Sequence, residues 1–171
     1  MARTNAEQGL NLRVASNATI KRQFAALGEA LGLDEPPQRL ECFDVSHTSG
    51  EATVASCVVF NSAGPLKSDY RRFNLKPDAA GDDYAAMSEA LRRRYTRVKK
   101  GEVPMPDVLF VDGGKGQLSE AMKVLNELEL DWLNVVAVAK GPSRRPGAEQ
   151  LFRPGESRPV NLASDSSALL L

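Results

Sequence analysis

Two aspartates stand where strand-forming runs meet polar sequence, and together they could hold a divalent cation. Asp112 closes the apolar run Val108-Leu109-Phe110-Val111, and Asp44 sits inside Leu40-Glu41-Cys42-Phe43-Asp44-Val45. Burying an unpaired carboxylate is costly. Two separate strands that each carry one therefore suggest a shared metal or a charge partner. Carboxylates side by side repel each other, and oxygen-only ligands suit Mg²⁺ or Mn²⁺. Such a site could hydrolyse phosphodiesters, with metal activating water and stabilising the leaving oxygen.

The glycine cluster after Asp112, Gly113-Gly114-Lys115-Gly116-Gln117, lacks the Gly-x4-Gly-Lys-Ser/Thr pattern of a Walker A loop. Its glycines let the backbone turn tightly beside Asp112. Free amides at the following helix start could meet a phosphate oxygen, with Lys115 adding charge. Gln117 reads as an ordinary polar residue of a helix N-terminus. Arg92, Arg93, Arg94, Arg97, Lys99 and Lys100 form a basic run with no acid between Glu89 and Glu102, and Arg93 and Arg97 stand one helical turn apart. Lys67, Arg71, Arg72, Arg144 and Arg145 are further candidates for phosphate contact. Such contacts give affinity without sequence preference; the competing reading is a solvated helix face.

These residues need a scaffold. The chain has 171 residues, enough for one domain with a real core. Its 22 basic and 22 acidic side chains cancel, so affinity for nucleic acid must come from local patches. No apolar run approaches a membrane span, and the charged first thirty residues hold no signal-peptide core. Cys42 and Cys57 lie in apolar strands and read as reduced core residues of a cytoplasmic protein.

Residues 1 to about 11 are expected to be a frayed leader. Leu12, Ala15, Ala18, Thr19, Gln23, Ala26, Leu27 and Ala30 mark a helix up to the Gly32 region, stopped by Pro36-Pro37. Strands are predicted at about 39–46, 53–60 and 67–75, joined by short turns as an antiparallel meander. After a loop at 76–81, Asp82 or Asp83 caps a helix with Tyr84, Met87, Leu91, Tyr95 and Val98 as its apolar stripe. The strand 107–112, a helix from 115 to about 129 and a fifth strand, 134–139, follow. Residues 142–161 read mostly as loop, with a short strand at 150–152. Trp132 is expected to be a hydrophobic anchor.

The order βββαβαβ implies an α/β fold: a ribonuclease-H-like mixed five-stranded sheet, three antiparallel strands then two parallel, order 3-2-1-4-5, flanked by helices. Adjacent strands lie about 4.8 Å apart. In that arrangement Asp44 and Asp112 can project into one crevice.

Several segments together resemble the C-terminal nuclease domain of the UvrC family of bacterial nucleotide excision repair. They are Glu41-Cys42-Phe43-Asp44-Val45-Ser46-His47-Thr48, Gly50 to Ser56, Tyr70-Arg71-Arg72-Phe73, Gly81-Asp82-Asp83-Tyr84-Ala85-Ala86-Met87 and Asp112-Gly113-Gly114-Lys115-Gly116-Gln117. The resemblance covers about residues 38–170. It implies a metal-dependent endonuclease domain that incises damaged double-stranded DNA 5′ to a lesion. It also implies a UvrB-type repair helicase as partner, through parts of the full-length protein. Residues 1–37 then correspond to a leader and linker helix, and 38–171 to the nuclease domain.

The resemblance places Asp44 and Asp112 as metal ligands. Asp83 matches a segment linked to activity, although a helix cap explains it equally. Lys140 matches a family lysine that could hold the scissile phosphate or steer a carboxylate; an exposed strand-end lysine is the alternative. The family's metal-site histidine, expected beyond Ser167-Ala168-Leu169-Leu170-Leu171, and its helix-hairpin-helix module have no counterpart in this chain. His47 lies elsewhere and is expected to anchor a turn. The domain is thus expected to be truncated and possible to fold without cutting. Two other readings stand beside the nuclease: a non-catalytic DNA-binding or assembly module, and a small-molecule phosphate-binding domain built on Gly113–Gln117.

Overall fold

The apolar runs assemble into one mixed sheet. The computed structural model of the chain describes residues 2–48, 52–75, 82–141 and 148–162, with side chains from Arg13 onward apart from 47, 48 and 52. The loop at 76–81, Arg144, Arg145, the 167–171 segment and the expected hydrogen bonding of His47 lie outside the described residues.

β1 (Arg39–Thr48) pairs antiparallel with β2 (Ala52–Asn61), whose outer edge carries the two-residue β3 (Gly64–Pro65) and β4 (Arg71–Asn74). On its other side β1 pairs in parallel with β5 (Val108–Asp112), and β5 in parallel with β6 (Asn134–Ala139). β7 (Gln150–Phe152) and β8 (Val160–Asn161) add antiparallel at that edge. The main strands thus run β4-β2-β1-β5-β6, which is the predicted 3-2-1-4-5 order. No helix among the described residues is long and apolar enough to cross a membrane.

Three helices cover the sheet. α1 (Ala2–Ala30) lies on one face, where Phe24, Leu27 and Leu31 pack with Leu40, Val108, Val136 and Leu151. α2 (Asp83–Lys99) and α3 (Lys115–Glu127) lie on the other. There Met87, Leu91, Tyr95, Leu118, Ala121 and Leu125 bury Phe43, Leu109 and Val111. Alternation along the strands sorts the two cores, since successive side chains point to opposite faces. Asp82 caps α2, its carboxylate accepting from the Tyr84 and Ala85 amides at 3.0 and 3.1 Å.

Several expectations are corrected. The supposed leader belongs to α1, whose first turns are rich in good helix formers. Within α1 the buried positions are Gln23, Phe24, Leu27 and Gly28, with Leu31 just past its end, whereas Ala15, Ala18 and Thr19 are exposed. The third predicted strand is interrupted. Lys67–Asp69 forms a 3-10 turn because Asp69 is held by Arg39 at 2.8 Å and Ser68 bonds its other oxygen. β8 emerges from a stretch read as loop. Trp132 is 64% exposed, so it anchors nothing in the core.

A charged cluster lies within the core on the α2 side. Glu41 is fully buried; Arg94 donates to it at 2.6 Å, Tyr95 Oη at 3.1 Å and Arg39 at 3.3 Å. Burial and then the Glu41 charge push the Tyr95 phenol well above its ordinary value, so it stays a donor. Breaking a buried ion pair leaves a charge without a partner and costs about 3–5 kcal/mol. Arg94→Met is therefore expected to lower the urea midpoint by that free energy with an unchanged slope. Glu41→Leu combined with Arg94→Met should recover part of the loss. A single variant as stable as the parent would refute a structural role for the pair.

Candidate functional site

The carboxylates are brought together by register. In the parallel β1–β5 pair Phe43 lies opposite Val111, so the next residues, Asp44 and Asp112, stand side by side at the carboxyl end of β5. Both belong to the alternation set of Leu40 and Cys42 on β1, and of Val108 and Phe110 on β5, and so point to the α1 face. Residues Leu27, Leu40, Cys42, Val58, Phe110 and Val138 line a cleft of about 560 Å³ on that face, with both aspartates at its rim.

The two acids interact. Partial withdrawal from water raises the Asp112 carboxyl above the ordinary aspartate range, and the Asp44 charge and a hydrogen bond with Asp44 raise it further. Lys140, one residue past β6 and in the alternation set of Val138, pulls it back down. Pairing with Val138 thus places Asp112 within the field of Lys140. Cys42, half-buried in the cleft two residues before Asp44, has its thiol pushed up to about 12, first by burial and then by Asp112 and Asp44. Its strand composition alone had suggested only a core residue, and its place on the Asp44 face was the signal available. Cys57, by contrast, is buried on the other side.

The turn after Asp112 is built around glycine. Gly113 has φ +141°, its amide donates to Val138 O at 2.9 Å, and a Cβ there would overlap the Gln117 side chain. Gln117 Oε1 accepts from the Gly114 amide at 3.0 Å, which makes Gln117 a brace for the loop that carries Asp112. At Gly116 a Cβ would overlap the Tyr84 phenol, so the first turn of α2 abuts the first turn of α3. Asp83 is exposed in that α2 turn, at the same end of the sheet as Asp112, while its neighbour Asp82 is the cap.

The basic candidates separate. Lys115 donates to Ser157 O at 3.1 Å and lies 5.5 Å from the Phe152 ring centre, tying α3 to the β7–β8 connection. Arg92 pairs with Glu127, Arg97 with Glu102, and Lys99 with Glu129. Arg93 pairs with Glu89, donates to Asn74 O at 3.1 Å and covers the Phe73 ring. Arg94 is the buried partner of Glu41. Arg93 and Arg97 therefore lie on the helix layer opposite the aspartates, and the structure does not bring them to the pair. On β4, Arg71 aligns with Cys57 and spends its guanidinium on the Ser68 and Tyr70 carbonyls, whereas Arg72 aligns with Ser56.

Among the described residues no group of three or more His, Cys, Asp or Glu side chains is placed to hold a metal. What the described chain offers is an all-oxygen pair with a lysine beside it. If the Gly113 turn sets Asp112, Gly113→Ala should cost about 1–3 kcal/mol of stability. Gly114→Ala, at a φ of −99° with open space around its Cβ, should cost far less. Thermal denaturation of the two variants decides; equal effects would contradict the role given to Gly113.

Comparison with known proteins gives a family and distant structural likenesses. Residues 28–171 match the UvrC RNAse H endonuclease domain. The chain is 58% identical to UvrABC system protein C of Pseudomonas aeruginosa strain LESB58 over 171 residues, and 54% to that of Methylococcus capsulatus. It covers 100% of itself but 28% of the length of those curated relatives. Among solved structures it is similar to Ciona intestinalis endonuclease V in complex with a 24mer DNA containing an inosine followed by a ribo-adenosine. That match has 17% identity, covers 80% of this chain and 59% of the other, and has TM-score 0.46. Human ENDOV matches at 23% identity, 77% and 59% coverage, and TM-score 0.43.

Proposed function

Because the chain belongs to the family of the UvrC RNAse H endonuclease domain, we propose that it is a metal-dependent DNA endonuclease domain of nucleotide excision repair. In this reading it incises damaged double-stranded DNA on the 5′ side of the lesion. The observation that carries the proposal is the lateral pairing of Asp44 with Asp112 at the mouth of a cleft. Ligands of open α/β sheets bind at that carboxyl end of the strands.

The pair fits a hard divalent cation. Its donors are all oxygen, and Mg²⁺ or Mn²⁺ would offset both the burial and the Asp44 charge that raise the Asp112 carboxyl. Asp44 and Asp112 would hold the ion, which when bound supplies Lewis-acid polarisation of the phosphodiester. Lys140 places a cation beside the pair, suited to orient a phosphoryl oxygen. Asp83, on the adjoining helix turn, stands at the same end and could accept a proton from water approaching from that side. A UvrB-type repair helicase would engage other parts of the longer protein, and a cytoplasmic location accords with this work.

A second reading, a non-catalytic DNA-binding or assembly module, draws on the fact that among the described residues no third acid, cysteine or histidine is placed to hold a metal together with the pair. Calorimetric titration with Mn²⁺ separates the two. The nuclease reading expects saturable binding that Asp112→Asn weakens at least about tenfold, the order of loss when a metal site is disrupted. Binding that survives in Asp112→Asn would remove the metal from the pair. No binding by the parent chain would favour the second reading.

A further inference from the structure

Across the sheet, the register continues past the aspartates on both sides. Asp44 lies opposite Ser56, and Ser56 opposite Arg72; on the other side Asp112 lies opposite Val138. Residues opposite one another across a ladder share a face. Arg72, Ser56, Asp44 and Asp112 are therefore one transverse row on the α1 side of the sheet.

The direction of that row matters. α1 also crosses the strands. Ile20 sits near Gly64, at the β3 edge, whereas Leu31 packs toward Val136 on β6. Its contacts with Leu40 and Val108 lie four residues below Asp44 and Asp112 along β1 and β5. The cleft between helix and row, floored by Cys42, Val58 and Phe110, is thus a trough running across the strands. The trough reaches Asp44 and Asp112, and from them the transverse row continues outside it through Ser56 to Arg72 on one side, with Lys140 past Val138 on the other.

The state of Arg72 separates it from the other arginines. Arg92, Arg93, Arg94 and Arg97 all have acidic partners, and Arg71 is spent on backbone carbonyls. Arg72 is exposed and makes no hydrogen bond or ion pair among the described residues. Two strand spacings, about 10 Å, separate its backbone from that of Asp44. An extended arginine spans much of that gap, yet the distance keeps it from simply neutralising the pair. A planar guanidinium suits bidentate capture of a phosphate.

Resting on the nuclease reading above, we infer that Arg72 is a substrate-binding residue: it clamps a backbone phosphate flanking the scissile one and so lays the DNA strand along the row, with the Ser56 hydroxyl between clamp and carboxylates. Specificity for base sequence does not enter, since the contact is to phosphate.

The test is fluorescence anisotropy of a short labelled duplex with this chain, across a range of salt and without metal. Arg72→Gln should weaken binding on the order of fivefold and reduce the salt slope by about one, the signature of one lost phosphate contact. Arg72→Lys should keep the slope while losing part of the affinity. Lys123→Gln, which removes the same charge from α3 on the opposite side of the sheet, should change neither. Mn²⁺ titration of the same samples should be unaffected by Arg72→Gln. An Arg72→Gln chain with parental affinity and slope would overturn the clamp, as would equal losses in Lys123→Gln or no duplex binding by the parent. Each of those results leaves the metal site standing. Mn²⁺ binding that persists in Asp112→Asn would instead overturn the nuclease reading, whatever Arg72 does.

Discussion

Asp107 ties together the starts of the two strands that carry the aspartates. One of its carboxylate oxygens accepts the Gln38 and Arg39 amides at 2.7 and 2.9 Å, while its own amide donates to Arg39 O at 2.9 Å. Those three bonds lock the first residues of β1 to the first of β5 before the parallel ladder begins. A slip of one residue would turn every side chain of a strand to the other face. Asp44 would then point into the Phe43 core, and Glu41 would lose Arg94. The pairing of the two aspartates is thus set at the far end of the strands that carry them.

The two faces of β1 make opposite electrostatic choices. Glu41 is buried with two arginines and a tyrosine aimed at it, which satisfies the charge within the fold. Asp44, three residues on, has no ion-pair partner among the described residues, and another acid, Asp112, stands beside it on the neighbouring strand. A carboxylate met by like charge keeps its demand for a cation, whereas one met by arginine has none left. The contrast is why the second pair, and not the more deeply buried first, reads as a site.

Much of this was legible in the sequence, for local reasons. Branched apolar runs ending at acids mark β1 and β5, and the glycine cluster marks the turn into α3, so Asp44 and Asp112 stood out before any geometry. The strand order followed from element order and connection lengths. The basic run on α2 was less transparent, because several of its partners are distant in sequence: Glu127 is 35 residues from Arg92, and Glu41 is 53 from Arg94. Charge density alone cannot tell a phosphate patch from a set of interhelical and buried ion pairs. Gln117 was similarly hidden. Its packing against Gly113 depends on a backbone conformation that residue type permits but does not specify.

The sheet also ends carefully. On one side the edge of β2 is shared by a two-residue strand and a four-residue strand carrying two arginines; on the other the last strand has two residues. Among the described residues neither border presents a long, flat row of unpaired amides. Strand-by-strand accretion onto another copy of the sheet has little to template on, since short and charged edges are poor partners for edge-to-edge pairing.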